Sequence, residues 1–152
     1  MKNKYISGQS LFEVVVSIAI SALIVTAIVA LAVNSIQNSS FSRDKTIATS
    51  YVQETMEWIK VERDQNLAVF RTKATFMPDS DVKYCLSSLS WPATPSSCSQ
   101  SQVITNTKFS REVIFPACSG TCNAGVVEVM INVYWRDSKG LRQVSSSTEL
   151  SI

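Results

Sequence analysis

Two kinds of side chain in this 152-residue chain invite chemistry: one solitary carboxylate and one set of thiols. Glu13 is followed by 29 residues without a charge, up to Arg43. A carboxylate at the edge of so apolar a stretch is costly to keep ionised alone, so Glu13 needs a cationic partner. The four cysteines, Cys85, Cys98, Cys118 and Cys122, are even in number and all lie beyond that stretch, as disulfides in an oxidising compartment would. Loop closure favours Cys85 with Cys98 and Cys118 with Cys122, although three connectivities exist. A zinc site of all four thiolates needs two short Cys pairs, and only Cys118 and Cys122 are so spaced. Histidine is absent, which removes Ser-His-Asp and Cys-His catalysis. Arg111, Glu112 and Glu128 read as the solvated face of strands. Asp79 and Asp81 fall short of the ~6–8 oxygens that calcium takes. The expectation is a chain that is not an enzyme and uses no metal or other cofactor.

These residues need elements to hold them. From Val14 to Val33 the chain is apolar except for Ser17, Ser21 and Thr26, a length of ~20 residues that matches the ~30 Å hydrocarbon core of a bilayer. Lys2 and Lys4 precede it with no acid among the first eight residues, as in a segment retained in the cytoplasm. No glycine or proline occurs from Gln9 to Phe76, so nothing breaks a helix early. Ala48, Val52, Met56 and Ile59 form an apolar stripe at helical spacing, with Ile47, Tyr51 and Trp58 beside it. A helix from Gln9 to Asn66 would span roughly 87 Å.

After Asn66 the chain reads as irregular up to about Phe109, with a Ser-rich loop around Trp91 and Cys98. Phe109, Arg111, Val113 and Phe115 then fall on one side of a strand. Val127, Val129, Ile131, Val133 and Trp135 alternate with Glu128, Asn132 and Arg136. Asp137-Ser138-Lys139-Gly140 supplies a turn, and Val144, Thr148, Leu150 and Ile152 return in phase. The expected fold is α+β: a long N-terminal helix, transmembrane in its first half, packed on a small antiparallel sheet of three or four strands. Four segments result: a basic leader, 1–8; an apolar helix, 9–35; its amphipathic continuation, 36–66; and a disulfide-bearing head, 67–152. A net charge of +2 with scattered Lys and Arg gives no nucleic-acid-binding face.

Gly8-Gln9-Ser10-Leu11-Phe12-Glu13, running straight into the apolar stretch, resembles the class III leader of type IV pilins and pseudopilins. The resemblance covers about the first 35 residues. It implies cleavage after Gly8 by a prepilin peptidase, with Gln9 as the new N-terminus and the usual site of N-methylation. It also gives Glu13 the role of setting subunit register by meeting the free N-terminal amine of a neighbour. The implied partners are other pilin-like subunits, the peptidase, an inner-membrane assembly platform and, before assembly, the lipid bilayer. The implied location is the cytoplasmic membrane, with the N-terminus inside and the head outside, and then a pilus or pseudopilus.

Two features depart from the family's habit. Gln9 stands where Phe or Met is usual, and its amine is as free to cyclise to pyroglutamate as to be methylated. The proline common in the second half of the apolar stretch of major pilins is missing, which leans towards a minor pilin or pseudopilin. A secretory signal cut near Ala30-Leu31-Ala32 is the first alternative, against which stand Glu13 and an apolar run longer than ~7–15 residues. A plain single-pass anchor carrying a surface binding head is the second.

Overall fold

The computed structural model describes residues 9–74, 80–99, 101–117 and 125–152, with Gln9 and Ser10 described by backbone alone. It is an α+β arrangement. A long helix, α1 (Gln9–Gln65), is followed by a short one, α2 (Leu67–Ala74). Four strands come next: β1 (Val82–Cys85), β2 (Ser110–Phe115), β3 (Val126–Asp137) and β4 (Gly140–Ser151). The chain divides into two units, 1–42 and 43–152, and each is taken by itself.

In the first unit every described residue up to Ser42 belongs to α1. With no glycine or proline, each backbone N–H past the first turn finds its carbonyl four residues back. The polar side chains are absorbed too. Ser17 Oγ donates to Glu13 O at 2.7 Å, Ser21 Oγ to Ser17 O at 2.7 Å and Thr26 Oγ1 to Leu23 O at 2.9 Å. A hydroxyl bonded to its own helix leaves no donor stranded in an apolar medium.

The second unit pairs the amphipathic end of α1 with the sheet. The strands follow one another in chain order, β1-β2-β3-β4, all antiparallel. β3 and β4 pair without interruption from Val126↔Ser151 to Asp137↔Gly140. The tight turn holds because Asp137 Oδ1 accepts the Lys139 N–H at 2.7 Å and Asp137 Oδ2 accepts Arg142 Nε at 3.0 Å. Burial pushes the Asp137 carboxyl up, but these bonds and the Gly140 amide outweigh it and hold the group below its ordinary range. Gly140 has φ 124°, where a Cβ would be strained.

The core lies between α1 and the inner face of the sheet. Ala48, Val52, Thr55 and Ile59 of α1 are buried against Phe109, Val113, Val129, Ile131, Val133 and Trp135. Thr55 takes the place in the stripe that the sequence assigned to Met56, which packs beside it half-buried. The hydroxyl is tolerated because it donates to Tyr51 O at 2.6 Å. Aromatic contacts tie the layers: Tyr51 to Phe109 at 5.6 Å and Phe109 to Trp135 at 5.9 Å between ring centroids.

Two elements fall where the sequence reads as irregular. α2 forms because 67–74 contains good helix formers and no breaker, and it is anchored by Phe70, fully buried and edge-on to Phe115 at 5.8 Å. β1 forms because Val82 and Tyr84 face the core and Tyr84 OH donates to Lys73 O at 3.0 Å. Its outer edge is capped at one point by the parallel bridge Tyr84↔Ser96, where Ser96 N–H donates to Lys83 O at 2.7 Å.

Candidate functional site

The residues singled out by sequence lie in two places. On α1, Gln9 is the first described residue and Glu13 is exposed one turn further on. Gly8 lies outside the described residues. The side chains that follow Glu13 are exposed and apolar, among them Val14, Ile18, Leu23, Ile24, Ile28 and Leu31. None of this apolar stretch is buried, and the helix is long and apolar enough to cross a membrane. Glu13 is the last charge before Arg43, and it meets the apolar surface with a carboxylate.

In the head, Cys85 and Cys98 form a disulfide that joins the end of β1 to the loop before β2. Cys118 and Cys122 lie outside the described residues, as does Asp79. Asp81 Oδ1 accepts the Ala117 N–H at 2.9 Å.

Arg111 and Glu112 correct the reading of them as a solvated face. Arg111 points inward with its side chain 2 % exposed, and its Nη1 reaches Glu54 Oε2 at 3.1 Å and Thr55 Oγ1 at 3.2 Å. Burial lowers the Arg111 pKa from its ordinary value, while the Glu54 charge and hydrogen bond push the other way. The alternation had placed Arg111 in phase with Phe109, Val113 and Phe115, so its direction was legible. Only the partner, on α1 far away in sequence, was not. Lys108 makes a second tie to α1, meeting Asp44 Oδ2 at 2.7 Å.

Glu112 points to the opposite face of the sheet and is buried there as well. Its Oε1 accepts the Cys98 N–H at 3.1 Å and its Oε2 accepts Tyr134 OH at 3.2 Å. Asn132 Nδ2 donates to Tyr134 OH at 3.0 Å. Burial raises the Tyr134 pKa first, with the Glu112 charge adding to it against the Asn132 hydrogen bond. The disulfided loop is what covers this carboxylate, and nothing in the strand pattern foretold it. Glu128, by contrast, is exposed as expected.

Trp91, in the Ser-rich loop, is half-buried and packs against the core. It lies 4.9 Å from Trp58, 5.3 Å from Tyr84 and 6.1 Å from Phe115, and its Nε1 donates to Glu62 Oε2 at 3.0 Å. Trp91 therefore anchors its loop to α1 and the core. No family model, curated protein or solved structure matches this chain.

Proposed function

We propose that this chain is a non-enzymatic structural subunit, a minor pilin or pseudopilin, that assembles through α1 after cleavage between Gly8 and Gln9. The observation that carries the reading is Glu13: one exposed carboxylate at the start of a helix whose next 29 residues are uncharged and largely apolar. A simple anchor has no use for an acid there, whereas a subunit that must find one axial position among identical helices does. Cleavage after Gly8 frees the Gln9 amine, and that cation in a neighbouring subunit is the partner Glu13 needs. Moving α1 from lipid into a bundle of similar polarity is nearly neutral for the hydrophobic effect. Packing and the charge pair therefore decide assembly.

N-terminal sequencing of the protein recovered from membranes tests the cut. A start at Gln9 supports the reading. An intact Met1, as in a single-pass binding protein, or a start at Val33, as after a secretory signal, sinks it. Glu13→Ala tests the register role. Membrane insertion should be unchanged, while the fraction sheared into filaments should fall about tenfold or more, the factor that ~1.4 kcal/mol of lost pairing represents. Equal incorporation of the variant would rule the role out.

A further inference from the structure

We propose that the Cys85–Cys98 disulfide is a redox latch that closes a local cover over a cluster on the outer face of the sheet, made of buried Glu112 and Asn132 and half-buried Tyr134. The proposal stands whether or not the chain enters a filament. Glu112 is 5 % exposed and Asn132 is 7 % exposed, although both project away from the core. Glu112 is shielded by segment 96–99, whose Cys98 N–H donates to the carboxylate.

Two kinds of hold keep that segment in place. One is noncovalent: the Ser96 N–H on Lys83 O and the Cys98 N–H on Glu112. The other is the bond to Cys85, which is the residue of β1 paired with Glu112 across the ladder. The disulfide thus fixes Cys98 directly above the carboxylate it serves. The rest of the loop has its own anchor, because Trp91 sits among Trp58, Tyr84 and Phe115, and Lys73 Nζ donates to Pro92 O at 2.9 Å. Opening the disulfide therefore frees the Cys98 end and leaves the Trp91 end seated. Asn132 Oδ1, buried without a hydrogen-bond partner among the described residues, gains water when the cover lifts.

The chemistry is thiol–disulfide exchange with a dithiol. Its thiolate attacks Sγ of Cys98, the half-buried member of the pair, and Cys85 leaves as a thiolate and takes up a proton. The second thiol of the reductant then displaces Cys98 and closes the reductant's own disulfide. Two electrons and two protons pass to the cystine. In the reverse direction, oxidation by a disulfide-bearing donor shuts the cover, so this patch is completed only in an oxidising compartment.

Hydrogen exchange read by mass spectrometry on the full chain in detergent tests the latch, with dithiothreitol and no denaturant. Because the reagent also meets Cys118 and Cys122, Cys85→Ala/Cys98→Ala is measured alongside. In both samples the amides of 96–99 should exchange about tenfold faster or more, and nitration of Tyr134 should rise. β3, β4 and the part of α1 after Arg43 should keep their protection. Unchanged exchange at 96–99 in both samples would show that the bond holds no cover. Loss of protection throughout β3 and β4 would overturn the proposal too, because the bond would then hold the whole head.

Discussion

Arg111 brings its charge into the core with one partner of opposite sign among the described residues, and that partner sits at the rim. Glu54 is 50 % exposed and Arg111 is 2 % exposed, so the two do not contribute alike. Glu54→Ala strands a buried guanidinium and should cost roughly 2–3 kcal/mol, somewhat below the usual loss for a fully buried pair. Arg111→Met leaves Glu54 to water and should cost clearly less. Thermal unfolding of the two variants checks the order, and an equal or reversed cost would show that the pair is not asymmetric. The phenols make a second prediction. Burial raises the pKa of both Tyr84 and Tyr134, so the folded state holds their protons more tightly than the unfolded state. Their contribution is complete below pH ~10 and is lost as pH rises through the higher folded values. Melting temperature should fall on that alkaline limb, and Tyr84→Phe/Tyr134→Phe should flatten it. Among single residues, the inward direction of Arg111 could be read from alternation. The burial of Glu112 could not, because the loop that covers it has no periodicity to read.

The longest elements were the most legible, since a helix without breakers and two strands of strict alternation each repeat one signal many times. α1 was expected from Gln9 to Asn66 and runs to Gln65, and the β3–β4 hairpin turns at the expected Asp137–Gly140. α2 and β1 were missed because each is short and secured by tertiary contacts, Phe70 on Phe115 and Tyr84 on the Lys73 carbonyl. The hairpin offers a clean test of turn chemistry. At φ 124° Gly140 has open space around the position of a Cβ, so Gly140→Ala meets backbone strain and no clash. It should destabilise by about 1–2 kcal/mol without altering the fold. Chemical denaturation would measure this, and a neutral effect would mean that the turn relaxes to another geometry.

At the scale of the molecule, apolar surface is divided unequally between the two units. The first exposes nearly all of its aliphatic side chains, while the second buries a continuous core of its own. A fragment of residues 43–152 should therefore stay in solution without detergent and melt cooperatively, whereas the full chain should require detergent or lipid. Aggregation of the fragment, or a melt without a transition, would show that the head depends on the first unit.

The contact between Trp58 and Trp91 has a use beyond packing. One indole belongs to α1 and the other to the Ser-rich loop, and they meet at 4.9 Å with planes inclined by 49°. Two chromophores that close and that skewed share their excited states, so the pair should give a split circular-dichroism band that disappears in Trp91→Phe. The head thus carries its own optical gauge of whether that loop is seated on the helix, readable in solution without any added label.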